Sequence, residues 1–284
     1  MRRRWVILAL VLAAVPLSAR APHRLGLIAL VRQTDMEPVI GRYDPGKGWI
    51  SSSQFFDPPE PNETISLFGP TGKLGETRIA ELERTPSNFV FKDWNAAVAP
   101  WNWQKQSTAL AVSGSWAEPV RLAREMELAD PAAIAIAARY LARRGLRVSA
   151  PRLTQALEID LNGDGQWERF VCAESEPAAL HERRGEAIYS VALMEFTVGG
   201  HSKTDALAEQ TSYRPASETA REHKQFYGVM EHDQLLAFVD LDGDGRLEIA
   251  LYRHIPVAVS PTEAVDLFKF DGKNVRKVLA EDTY

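Results

Sequence analysis

The sequence predicts a mainly β protein with a short helical segment. Three observations carry this. Short apolar or alternating runs, punctuated by Gly and Pro, fill residues 22 to about 115. One stretch, between Asp130 and Gly145, has the spacing and end signals of a helix. From residue 150 onward the strand pattern returns and duplicates itself, with Asp160 matched by Asp240. The expected architecture is a small N-terminal β barrel or sandwich, a helical linker, and a C-terminal repeat of about two four-stranded units. The expected divisions are 1–19, a signal peptide; 20–115, the N-terminal β domain; 116–149, the linker; and 150–284, the repeat domain.

The first segment is an export signal by its charge and hydropathy. Arg2, Arg3 and Arg4 precede the apolar run Trp5 to Leu17, which is short for a bilayer span. Small residues, Ser18, Ala19 and Ala21, follow. The pattern predicts cleavage after Ala19 and leaves no stable membrane span. The expected location is extracytoplasmic, periplasmic or secreted.

Composition narrows the rest. The 284 residues are 45% hydrophobic and 25% charged, which excludes a disordered, collagen-like or multi-span membrane chain. A net charge of −5, which becomes −8 without the three arginines, argues against nucleic acid as a partner. The single cysteine, Cys172, allows no intrachain disulfide and no cysteine-based zinc site. It follows an apolar strand and is expected to be buried and inert.

Strands are expected at Leu25–Val31, Trp49–Ser52, Ile65–Phe68, Thr77–Leu82, Phe89–Phe91 and Thr108–Val112. Asp44-Pro45-Gly46, Asp57 to Pro61 and Gly69-Pro70-Thr71-Gly72 separate them as turns. Gly72-Lys73 lacks the frame of a phosphate-binding loop and reads as a hairpin turn. Trp94, Trp101 and Trp103 lie close in sequence and are read as packing residues, with an aromatic platform as the alternative. Glu118–Leu128 is read as a first helix. Asp130 then caps a second, Pro131 begins it, and Gly145 ends it. Ile134, Ala138 and Leu141 are expected on its buried face.

In the repeat, Leu157 to Val171 aligns with Ala237 to Leu251. Each unit continues with a strand–turn–strand: Tyr189–Thr197 and Ser202–Ala208, then Val265–Phe270 and Val275–Leu279. Residues 209–233 read as an insertion.

Both aligned segments contain Asp-x-Asn/Asp-Gly-Asp-Gly-x-x-Glu. Calcium takes six to eight oxygens, and alternate side chains of a curled loop converge to supply them. Glycine permits the curl. The expected ligands are Asp160, Asn162, Asp164, the Gln166 carbonyl and Glu168, then Asp240, Asp242, Asp244, the Arg246 carbonyl and Glu248. The twelfth positions, Val171 and Leu251, rule out an EF-hand, so the ninth-position glutamates must close the sites. The second loop offers one more carboxylate than the first, which predicts tighter binding there if rigidity is equal.

These loops resemble the calcium loops of FG-GAP, integrin-α-like repeats, also called VCBS repeats. The resemblance covers residues 153–279. It implies structural calcium between two strands of a propeller blade, and two units imply an incomplete, propeller-like arrangement. The expected role is an exported, non-catalytic binding or structural protein with a protein or cell-surface ligand. The alternative is an exported hydrolase with structural calcium. His181-Glu182 lacks the second histidine of a zincin, and no Gly-x-Ser-x-Gly elbow occurs. His223 and His232, with Glu222 or Glu231, are read as surface polar residues in preference to metal ligands.

Amino-terminal sequencing of exported material should begin near residue 20. An intact Met1 in a membrane fraction would overturn the export signal.

Overall fold

The computed structural model describes residues 26–32, 37–54, 64–78, 81–84, 89–92, 108–113, 121–175, 187–213, 232–255 and 262–283. The signal segment, the three clustered tryptophans, Asp57–Pro61, His181, Glu182, Glu222, His223 and Glu231 lie outside them.

Strands dominate. In the N-terminal part, β1 (Gly26–Arg32), β2 (Glu37–Asp44), β3 (Gly48–Ser51), β4 (Thr64–Gly69), β5 (Gly72–Arg78), β6 (Glu81–Arg84), β7 (Phe89–Lys92) and β8 (Thr108–Ser113) form one sheet. Its order is β5-β4-β8-β1-β2-β7-β6, with β3 also pairing β2. Among the described residues this sheet is open, so the barrel expectation gives way to a layer. Strand β2 adds to the expected set. Its successive parts pair with three neighbours, Glu37–Pro38 with β7, Val39–Tyr43 with β1 and Gly41–Asp44 with β3, so no single partner imposes clean alternation on it. The segment expected as one strand, Thr77–Leu82, is divided between β5 and β6. Two turns form as read. Asp44 Oδ1 accepts the Gly46 amide at 2.8 Å, and Pro70-Thr71 joins β4 to β5.

Over its described part, residues 121–128, the expected helix of 118–128 does not form. Arg124–Glu125 instead forms β9, which pairs with Glu158 and Leu157 at a sheet edge. The next helix, α1 (Pro131–Arg143), is capped at both ends as its sequence dictates. Asp130 accepts the amides of Ala132 and Ala133 at 2.7 and 3.3 Å. At the other end Gly145 has φ +82°, and the amides of Gly145 and Leu146 return to the carbonyls of Ala142 and Leu141. Its buried stripe is Ala133, Ile136, Ala137, Tyr140 and Leu141. Ile134 and Ala138 flank this stripe, so the expected face is rotated while Leu141 keeps its place.

Two four-stranded antiparallel meanders follow. The first is β10 (Leu153–Ile159), β11 (Glu168–Glu174), β12 (Ala187–Val198) and β13 (His201–Tyr213), extended by β9 at the β10 edge. The second is β14 (His232–Val239), β15 (Glu248–Ile255), β16 (Thr262–Phe270) and β17 (Val275–Thr283). Strand β13 runs through Tyr213, well into the segment expected as an insertion.

The layers stack as α1, first meander, second meander, N-terminal sheet. Helix α1 packs against Leu153, Val171, Tyr189, Val191 and Leu193 of the first meander. The opposite face of that meander, with Leu157, Ile159, Phe170, Cys172 and Met194, meets Phe238, Ile249, Leu251, Phe268 and Phe270 of the second. The far face of the second meander, with Ala237, Val239, Ala250, Val265 and Leu267, meets Ile40, Phe68, Leu110 and Val112. The second meander is thus buried on both faces, which explains the unbroken apolar run Leu235 to Val239. Gln155 ties the two meanders. Its Nε2 donates to the Leu235 carbonyl at 3.1 Å and its Oε1 accepts the Leu235 amide at 2.8 Å. Cys172 is buried as expected, and burial pushes its thiol pKa up.

Phe170 is fully buried between the meanders, 4.9 Å from Phe238 between ring centroids. Phe170→Ala should cost about 3–5 kcal/mol in urea unfolding. Trp167→Ala removes a half-exposed ring that stacks with Arg124 and should cost about 1 kcal/mol or less. Equal losses would contradict this layering.

Candidate metal centre

Eight of the ten candidate residues lie in two loops, one joining β10 to β11 and one joining β14 to β15, and the other two, Glu168 and Glu248, open the strands that follow. The loops share a backbone design. Gly163 and Gly165 have φ +76° and +83°, and Gly243 and Gly245 have +74° and +86°. Side chains with Cβ atoms adopt such values only under strain. In each loop the glutamate that opens the second strand reaches back over the turn. Glu168 Oε2 accepts the Leu161 amide at 2.8 Å, and Glu248 Oε2 accepts the Leu241 amide at 2.6 Å.

The loops also touch. The Leu247 amide donates to the Leu161 carbonyl at 3.0 Å. Arg121 Nη2 bridges them, donating to Leu161 O at 3.0 Å and Gly245 O at 2.6 Å. Sequence reasoning did not find Arg121, because no local pattern marks a residue that binds two backbone carbonyls so distant in the chain.

The first loop is organised around Asp160. Its Oδ1 accepts the amides of Gly163 and Asp164 at 2.7 and 3.1 Å, and its Oδ2 accepts that of Gly165 at 2.9 Å. Asn162 donates to Asp164 Oδ2 at 3.0 Å, and the Gln166 amide donates to Asp164 Oδ1 at 2.8 Å. Glu168 is 3% exposed. Burial, reinforced by Asp164 and Asp160 and opposed by the Leu161 amide, pushes its pKa up to about 7.

In the second loop carboxylate oxygens of Asp240, Asp242 and Asp244 lie within 4.8 Å of one another, the one such acidic group among the described residues. A cation from the chain itself is present there. Lys269, on β16, donates to Asp242, and its Nζ lies 2.8 Å from Asp244 Oδ2 and 3.5 Å from Glu248 Oε1. Burial opposes the charge on Lys269, but these carboxylates hold its pKa above the ordinary lysine value. Burial would raise Asp244 as well, yet Lys269 and the Arg246 amide hold it below the usual aspartate value. Asp240 is raised by burial, against the amides of Gly245 and Gly243. Glu248 is 1% exposed, and burial with the Asp242 charge pushes it up to about 8. The ammonium cancels the extra carboxylate of this loop. The two sets of ligand side chains, the second taken together with Lys269, therefore carry equal formal charge, and Arg246 lies within the second loop as well, which removes the sequence-based reason for ranking the second above the first.

Glu248 Oε1 is buried without a hydrogen bond. Asp240 Oδ1 is also buried without a hydrogen bond, although the Gly243 amide acts on the Asp240 carboxyl as a whole. The donor set is all oxygen, and it offers more acceptors than Lys269 satisfies. That chemistry fits a hard cation of high coordination number such as calcium. The amides of Gln166 and Arg246 donate to Asp164 and Asp244, so both residues serve their loops through the backbone.

His232 lies elsewhere, at the far end of β14. Its Nδ1 is 2.6 Å from Glu174 Oε2, and its ring stacks on His254 at 6.2 Å.

No family model matches the chain, and neither the curated proteins nor the solved structures give a match.

Glu168 and Glu248 keep their protons in the fold at pH values where the unfolded chain, with an ordinary value of 4.5, has released them. The fold then binds more protons than the unfolded chain from about pH 4.5 to pH 7 or 8, so stability falls as pH rises across that window. In a chelating buffer the melting temperature should decrease from pH 5 to pH 8. Each glutamate contributes a loss of about 1.4 kcal/mol per pH unit within its window. The double variant Glu168→Gln, Glu248→Gln should flatten the decrease. An equally steep decrease in the variant would assign it to other groups.

Proposed function

We propose that the chain is an exported, non-catalytic binding or structural protein whose two loops hold calcium to stabilise stacked sheets of the FG-GAP or VCBS kind. One observation carries the reading: two loops of the same design lie side by side, each with a buried glutamate behind it. In the second, buried carboxylate oxygens are left over. No helix among the described residues is long and apolar enough to cross a membrane. A protein or cell-surface ligand remains the partner class this reading expects. Asp160, Asn162, Asp164 and Glu168 would hold one ion, and Asp240, Asp242, Asp244 and Glu248 the other. Calcium would replace protons and internal donors as the counter-charge to these carboxylates.

Calcium at about 100 times its Kd should add roughly 2.7 kcal/mol per site. Thermal melts with calcium and with chelator measure this. Asp160→Asn keeps an acceptor for the loop amides and removes a charge. It should lose much of the calcium-dependent rise and change the melt in chelator little. Identical wild-type melts in both buffers, with no heat of calcium binding, would reduce the loops to turns.

A further inference from the structure

We propose that Lys269 is a tethered competitor for calcium in the second loop, so that the first loop is the open calcium site and the second takes the ion only by displacing its own lysine. The proposal rests on the calcium reading above and adds a ranking that the loop sequences do not contain.

The ammonium sits where a loop cation would. It donates to Asp242, lies 2.8 Å from Asp244 Oδ2 and 3.5 Å from Glu248 Oε1, and its side chain is 13% exposed. An ammonium has three N–H groups and no more. Calcium accepts six to eight oxygens at about 2.3–2.6 Å. The difference appears at Glu248 Oε1, on a wholly buried side chain, which faces the ammonium at ion-pair distance but receives no hydrogen bond. The loop therefore presents more oxygen ligands than its resident cation uses.

Among the described residues no lysine or arginine side chain pairs with the carboxylates of the first loop, and the strand register says why. Arg169 pairs with Glu195, and in the second unit its counterpart Ile249 pairs with Phe268. One residue further along β12 stands Phe196; one residue further along β16 stands Lys269. Ala192, Met194 and Phe196 line the inner face of β12, where Val265, Leu267 and Lys269 stand on β16. Phe196 packs its ring 5.0 Å from Phe270 and offers the first loop no charge. At this one facing position the two loops of one design thus meet a phenylalanine in the first unit and a lysine in the second.

Calcium titration calorimetry on the full mature chain tests the proposal, with calcium alone as the probe. Wild type should show one tighter site and one at least tenfold weaker. Lys269→Gln should tighten the weak site at least tenfold, and Lys269→Arg, which retains a cation, should match wild type. Asp160→Asn should remove the tighter site; in the double variant Asp160→Asn, Lys269→Gln, one tight site should remain. Lys269→Met provides a second neutral variant. If both neutral variants unfold in chelator but fold in calcium, the ion replaces the ammonium, as proposed. If neither folds even in calcium, Lys269 is a structural residue and the proposal fails. If Lys269→Gln leaves two unchanged sites, competition is wrong while the calcium reading stands. No uptake by any of the proteins would overturn both.

Discussion

Burying a carboxylate at the start of a strand sets the terms for this structure. Glu168 and Glu248 each lie beneath a loop, and each reaches seven residues back to the amide of a leucine, Leu161 or Leu241. That hydrogen bond closes the turn between the first two strands of a meander. It also turns the leucine inward, where Leu161 joins one core and Leu241 the next. The loop is therefore continuous with the packing below it. The cost is electrostatic, since a desolvated carboxylate among aspartates favours its neutral form unless a counter-charge arrives. A proton, a lysine and a divalent cation are three answers to the same demand.

The cores follow from how the meanders face one another. When the two units are aligned, Leu157, Ile159, Leu161 and Phe170 correspond to Ala237, Val239, Leu241 and Ala250. The first set faces the second meander, and the second set faces the N-terminal sheet. Corresponding faces thus meet different partners in the same sense along the stack. Small residues, Ala237 and Ala250, occupy the second set where Leu157 and Phe170 occupy the first. Phe68 and Ile40 from the N-terminal sheet fill the space opposite.

Much of this was legible in the sequence because it is local. Asp130, Pro131 and Gly145 delimit α1 through hydrogen bonds within a few residues. The Asp/Gly loops are held by hydrogen bonds from their own amides to their own aspartates, Asp160, Asp164, Asp240 and Asp244. What was not legible depends on distant partners. Strand β2 is defined by three neighbours, and β9 exists because β10 offers it an edge. The face of α1 is rotated because Tyr140 is drawn inward. Its hydroxyl donates to Glu209 of β13 at 2.6 Å and accepts from Arg144. Lys269 did carry a signal. It interrupts an alternation, Val265, Leu267, Lys269, whose other members are buried, and a lysine on an apolar strand face needs a buried anion. Only alignment of β16 with β12 shows which anions those are.

The sense of the stacking has a consequence for length. A closed ring of sheets fixes its own number, because the last must meet the first. A linear stack has no such arithmetic, and each layer needs only a neighbour on either side. Here α1 covers the face of the first meander that would otherwise meet another sheet, with Ala133, Ile136 and Ala137 providing a surface that offers no strand edge and no matching pleat. The helix closes the stack on this side. Without it, the exposed Val171, Val191 and Leu193 would present to other copies of the chain the kind of surface that the second meander already presents to the first.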